Sequence, residues 1–277
     1  MRAVLKRVPR AAWLWGVPLV FLAVFFFLPL GAVFRLAVES WAGGTLFKWE
    51  RVLRPLGFTF WQAGLSTLLT LAVGLPAAYI FARFEFPGKR LLRVLTTLPF
   101  ILPTVVVAAS FNALLGPRGW LNLLLMNWFG LDTPPIQILN TLGAILLAHV
   151  FYNTTVVIRV VGSALAQLDP RLEQAARVLG ASPLRTLREV TLPLLKPALL
   201  SSALLVFLFD FTSFGVVLLL GGPRYATLEV EIYIQALQML NLPLAGLLSA
   251  VQLACTLAIS VLNSRLGSRR AVPLAPR

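Results

Sequence analysis

Few residues in this chain could do chemistry, and those few sit in apolar company. Asp210 stands inside the run LLSSALLVFLFDFTSFGVV. A carboxylate at such a place costs about 2.5–3.5 kcal/mol on insertion scales unless water, a partner or a proton relieves it. His149, Tyr152 and Asn153 fall at i, i+3 and i+4 of another apolar run, so a helix puts them on one face. Two readings follow. Asp210 is a pathway residue attracting a cationic solute, with His149, Tyr152 and Asn153 beside the same path. Alternatively Asp210 is protonated or hydrogen-bonded to Thr212, Ser213 or Asn153, and His149 is an interhelical contact. A single Cys (Cys255) and a single His exclude an internal disulfide and a Cys/His zinc site. Gly88-Lys89-Arg90 lacks both the upstream Gly and the following Ser/Thr of a phosphate-binding loop. No nucleophile elbow or nucleophile–base pair appears. The expectation is a chain with no catalytic residue, no metal and no cofactor of its own.

The elements that position these groups must be membrane helices. Of 277 residues, 58% are hydrophobic and 12% charged, and the mean hydropathy is +0.86, more apolar surface than one core can hide. Spans are expected at about 12–34, 58–82, 94–115, 138–158, 198–220 and 244–263. Their length and lack of period-2 alternation exclude barrel strands. The first run is too long for a signal peptide and is read as an uncleaved anchor after a short N-terminus, 1–11. Gly74, Pro76, Pro99 and Pro103 mark kinks or plain packing irregularities.

The net charge of +14 does not indicate nucleic-acid binding, because Lys and Arg lie in short clusters between apolar runs. Eighteen of the 24 fall in the N-terminus, 83–93, 159–197 and the tail, and six in 35–57, 116–137 and 221–243. That asymmetry predicts cytoplasmic termini and a cytoplasmic 159–197 loop. Arg35, Lys48, Arg51 and Arg54 are the exceptions on the outer side, where Trp41, Trp49, Trp120 and Trp128 read as interfacial anchors. Glu229 and Glu231 would meet an external partner or cap a short helix.

The loop 159–197 is the best-organised polar segment. Asp169-Pro170 reads as a helix start, and Gly180 as its left-handed end. Leu172, Ala175, Ala176 and Leu179 form one apolar stripe between them. Ser182-Pro183 starts a second short helix, which Leu192-Pro193 and Pro197 are expected to stop before the fifth span. On pattern alone this ridge either receives another protein or packs on its own bundle.

The run LEQAARVLGASPLRTLREVTLPLLKPAL (172–199) resembles the EAA loop of ABC-importer permeases, E-A-A-x3-G-x9-I-x-L-P. Ala175, Ala176, Gly180, Leu192 and Pro193 match in register, and Val190 takes the Ile position. Gln174 replaces the motif's Glu, with Glu173 one residue earlier. LAHVFYNTTVVIR (147–159) and FTSFGVVLLLGGPRYATLEVEIYIQAL (211–237) look like the iron(III)/thiamine branch of type I importers. The resemblance covers residues 58–264, outside the first helix and loop (12–57) and the basic tail or linker (265–277). It implies an all-α, six-helix permease of the inner membrane, with Leu172, Glu173, Gln174, Ala175, Ala176, Leu179, Gly180, Leu192 and Pro193 in the loop that couples to the ATPase.

Implied partners are a separate ABC ATPase dimer that binds the ATP, an extracytoplasmic binding protein, and a second permease half (homodimeric, heterodimeric or fused). The solute implied is iron(III) or thiamine-like. A secondary transporter driven by an ion gradient would instead need paired intramembrane acids and internal repeats. A simple membrane anchor would need no ordered loop.

Overall fold

A computed structural model describes residues 12–42, 49–222 and 224–268, so the expected N-terminus 1–11, Lys48 and the tail beyond 268 lie outside the described residues, as does the side chain of Trp41. Every regular element among the described residues is helical. In chain order they are α1 (Ala12–Leu22), α2 (Leu28–Ala42), α3 (Glu50–Arg83), α4 (Lys89–Leu95), α5 (Leu98–Ile101), α6 (Thr104–Leu115), α7 (Trp120–Phe129), α8 (Leu142–Gln167), α9 (Pro170–Val178), α10 (Pro183–Thr186), α11 (Leu192–Phe211), α12 (Gly215–Leu220), α13 (Leu228–Tyr233) and α14 (Leu242–Ser268). Wider π-helical turns cover Ala23–Phe27, Leu187–Thr191 and Ile234–Gln238.

Among the described residues, five helices are long and apolar enough to cross a bilayer: Trp15–Glu39, Glu50–Arg83, Leu142–Gln167, Pro183–Phe211 and Leu242–Arg265. The expected third span, 94–115, is not one helix. Lys89–Ile101 and Thr104–Phe129 meet at a bend of 108°, and they make a sixth span only if the broken pair is counted as one. The cause is local: Pro103 forces Leu102 out of the helical region, to φ −70° and ψ 138°.

Other boundaries also move. α3 begins at Glu50 and so carries Arg51 and Arg54, which the sequence assigns to a loop. α8 runs to Gln167, past Arg159, which shortens the polar loop that follows. The proline pair 193 and 197 does not stop a helix. α10, the π turn and α11 form one unbroken helix from Pro183 to Phe211. Pro193 has no N–H to give, and the helix absorbs that defect by widening just before it: Leu192 N–H bonds Leu187 O, five residues back. The π turn 23–27 stands in the same relation to Pro29. The fifth span ends at Phe211 instead of 220, where Thr212–Phe214 break the helix before α12.

The bundle is organised around α8, which packs on α3, α11, α5 and α12. Its approach to α3 is close because position 74 is glycine. A Cβ there would lie 2.7 Å from Val157 Cβ. Val157, Val161, Leu165, Ala78 and Val206 form the core at that level. A second core joins α3, α11, α13 and α14 through Ala63, Phe211, Leu228 and Leu248. The outward faces keep large apolar side chains exposed along α1, α2, α3 and α14, as a lipid-facing surface requires.

Candidate functional site: a buried joint and an exposed elbow

Two groups of sequence-derived site residues occupy different places. The first is gathered where α3, α8 and α11 meet. Asn153 Nδ2 donates to Asp210 Oδ1 at 2.7 Å, and His149 Nδ1 lies 3.3 Å from the same oxygen. Ser66 Oγ is 3.0 Å from His149 Nδ1, and Ser213 Oγ is 2.8 Å from its Nε2. Gln62 Nε2 closes the group by donating to the Asp210 carbonyl at 2.8 Å. With its ring proton on Nδ1, the imidazole donates to the carboxyl group and accepts from the Ser213 hydroxyl. Asp210 is 0% exposed and His149 2%, so both are enclosed by the chain itself. Burial of such a group is costly unless it is hydrogen-bonded, and here three helices supply partners to Asp210 Oδ1 and to both ring nitrogens, while Asp210 Oδ2 and Gln62 Oε1 are left without one.

Tyr152 shares that face of α8, but its hydroxyl turns to the Leu102 carbonyl, 3.4 Å away at the break before α6. One turn further along α8, Thr155 Oγ1 donates to the Thr96 carbonyl. The broken segment 89–115 is thus held to α8 by side-chain bonds to carbonyls that the break leaves without helical partners.

The second group forms an elbow between α8 and the long helix that starts at Pro183. Asp169 caps α9 by accepting from Arg171 N–H, and Pro170 follows at the first helical position. At the other end Gly180 has φ +87°. Its N–H bonds Arg177 O at 2.9 Å, and Ala181 N–H bonds Ala176 O at 3.0 Å. These two bonds make a left-handed helix stop that favours glycine. Ser182 then caps the next helix by accepting from Arg185 N–H.

The elbow is tied down by one carboxylate. Glu173 Oε1 accepts from Arg83 Nη2 at 2.7 Å and from Thr191 Oγ1 at 2.8 Å, joining α9 to the end of α3 and to the π turn. Gln174 is exposed beside it. The carboxylate one residue before the motif position therefore holds the elbow. On the opposite side Leu172, Ala175, Val178 and Leu179 face outward, and Val178 and Leu179 are 86% and 88% exposed. Pro193 and Leu192 lie beyond, on the continuous helix.

Nearby, Lys89 Nζ donates to Glu85 Oε1 at 2.6 Å, and this bond, with the ammonium charge, holds the Glu85 carboxyl below its ordinary value. On α13, outside the spanning helices, burial pushes the Glu229 carboxyl up to about 7 although Gln252 donates to it. Two features escaped sequence reasoning. The Arg83–Glu173 tie joins residues 90 positions apart, which no local pattern reveals. Arg51, Arg54 and Arg224, counted in the sequence only as topological markers, line one cleft.

A bundle of apolar helices long enough to cross a bilayer, carrying an ordered polar elbow, has the architecture of a membrane-embedded component. Residues 71–266 match the family model of the binding-protein-dependent transport system inner membrane component, and the chain belongs to that family. It is 33% identical to the sulfate transport system permease protein CysT of Salmonella typhimurium, over 92% of each chain. It is 31% identical to the putative 2-aminoethylphosphonate transport system permease protein PhnU of Salmonella typhi, over 94% of this chain and 92% of that one. The thiamine transport system permease protein ThiP of Haemophilus influenzae is 33% identical over 88% of this chain but only 45% of its own length. A bacterial ABC transporter involved in import of the acidic polysaccharide alginate has the same fold, with a TM-score of 0.75, 20% identity and coverage of 95% of this chain and 97% of that one. The protein is an inner-membrane, multi-pass permease of the type I ABC-importer kind.

Proposed function

We propose that this chain is the subunit through which a separate ABC ATPase drives solute across the membrane, with the 169–191 elbow as the docking and lever element. The observation that carries the reading is the pairing of opposite properties on one short helix. Its inner side is fixed by Glu173 to two spanning helices, and its outer side leaves Leu179 and Val178 uncovered. Exposed leucine and valine on a polar loop make sense when a partner surface covers them. Push or pull on that face passes through Glu173 to Arg83 at the end of α3 and Thr191 at the root of the long helix. In this reading the elbow and both termini lie on the cytoplasmic side, which the excess of Lys and Arg in those segments supports.

An extracytoplasmic binding protein and a second permease half complete the working unit. The alginate importer is described in a complex with a periplasmic protein that carries an alginate pentasaccharide, which supports this division of labour. Among the named relatives the solutes are sulfate, 2-aminoethylphosphonate and thiamine. The iron(III) leaning of the sequence motifs has no counterpart among those three names. His149, Asn153 and Asp210 act in this reading as a fixed joint between moving helices, not as solute contacts. The test is reconstitution with the ATPase encoded beside this chain. The vesicles should show ATPase activity stimulated by the loaded binding protein, and uptake that stops when ATP is withheld. Uptake at full rate without the ATPase would overturn the proposal in favour of a gradient-driven transporter.

A further inference from the structure

Positive charge on the outer side runs against the rule that orients this chain. Three of its six outer-side basic residues are nevertheless brought together. Arg51 and Arg54 stand at i and i+3 on the first turns of α3, and Arg224 stands in the segment between α12 and α13. All three line one cleft of about 920 Å³ with Tyr225, Glu50 and Glu231. The volume is in the range of pockets that hold small molecules, about 300–1,000 Å³. Among the described residues, no carboxylate lies within ion-pair distance of these three guanidinium groups. Glu231 accepts instead from Gln235 at 2.8 Å. Tyr225 is braced by Phe58 across the cleft floor, with ring centroids 5.8 Å apart.

Neither orientation nor ion pairing therefore accounts for the three arginines. Each guanidinium is a planar fork that matches the paired oxygens of an oxyanion, and a concave site with several such forks suits a small anion better than a flat protein surface. Twenty-nine residues of α3 separate Arg54 from Arg83, about 44 Å of helix, so the cleft sits at the end of the bundle opposite the elbow.

We infer that this cleft receives a small oxyanion, a sulfate- or phosphonate-type group, as it enters the permease from outside. The inference rests on the importer reading for its direction of transport and adds the charge class of the solute. The test uses the full chain in nanodiscs of neutral phosphatidylcholine, with radiolabelled inorganic sulfate in equilibrium dialysis. Sulfate should bind saturably, methylphosphonate should compete for it, and thiamine should not. The R51Q/R54Q/R224Q variant should bind at least about tenfold more weakly, the loss of one to two charge-assisted contacts. R118Q, an outer arginine outside the cleft, should bind as the unaltered chain does. R224Q alone, with several-fold weakening, keeps the test open if the triple variant fails to fold.

Absence of saturable binding, or binding that survives the triple variant, overturns the inference. So does sulfate binding that disappears when phosphatidylglycerol replaces phosphatidylcholine, because a lipid phosphate would then be the occupant. The assay needs no ATPase. Failure of the importer reading would appear as lost ATPase coupling with sulfate binding intact, and failure of the cleft as the reverse.

Discussion

The buried joint and the exposed elbow use the same device, a carboxylate holding helices together, in opposite surroundings. Asp210 is wholly enclosed and serves three helices at once, through Asn153, His149 and the neighbouring Gln62 bond to its backbone. Glu173 sits at the edge, 22% exposed, and holds one short helix to two long ones. Enclosure makes the first rigid: breaking it strands a polar group with no water to take over. The second can be strong enough to transmit force and still let the elbow's outer face remain open. The lesson is that fixed and movable parts of this bundle differ less in their bonds than in what lies on the far side of them.

Removing the joint should have the largest effect. Asp210→Ala leaves Asn153 and His149 buried without their acceptor, a loss of about 1–3 kcal/mol for each stranded group. Thermal unfolding in detergent or nanodiscs reads it directly. Asp210→Asn sharpens the comparison, because an amide oxygen still accepts from Asn153. Uptake by this variant should remain near the unaltered rate, whereas a carboxylate in contact with solute would make it collapse.

Leu179→Asp attacks the elbow's open face and should do the reverse of Asp210→Ala. The melting temperature stays unchanged, while ATPase stimulation falls about thirtyfold, the factor for a 2 kcal/mol interface hot spot. Equal loss of stability in both variants would erase the distinction between joint and elbow. Glu173→Gln is smaller. It weakens a part-exposed tie worth about 1 kcal/mol, and it should lower uptake more than it lowers stability.

An effect confined to pH dependence concerns Glu229, whose carboxyl burial pushes up to about 7 against 4.5 for the free side chain. The folded state holds that proton more tightly than the unfolded chain does. Its contribution is full below pH 4.5, declines as pH rises, and is gone above the folded value. The fall in melting temperature between pH 4 and 8 should be shallower in Glu229→Gln than in the unaltered chain.

Sequence and structure agree most where a signal is local. The Asp169 and Ser182 caps and the Gly180 stop are each set by residues within a turn of one another. The apolar runs likewise locate the helices, since no other structure hides their backbone from lipid. Agreement fails where a helix continues beyond its apolar run. α8 carries Arg159 on a helical turn, and a charge marks the membrane's edge without ending the hydrogen-bond ladder. It fails again at prolines, whose effect depends on the neighbouring turns. Pro103 ends a helix at a 108° bend, whereas Pro193 rides through on a π turn. The joint was half legible, because the spacing 149/152/153 gives a shared face on α8. Its partners on α3, Ser66 and Gln62, come from more than 80 residues away. The arginine cleft was legible only as an excess of charge, since three positions spread over two distant segments carry no spacing signal.

The most direct test of the lever is proximity. A single cysteine is placed at Leu179 in a Cys255→Ser background, in the assembled importer, and cross-linked to cysteines scanned over the ATPase surface. The account predicts a cross-link to the ATPase and protection of position 179 from membrane-impermeant thiol reagents added outside. Labelling of position 179 from the outer side, with no cross-link to the ATPase, would contradict it.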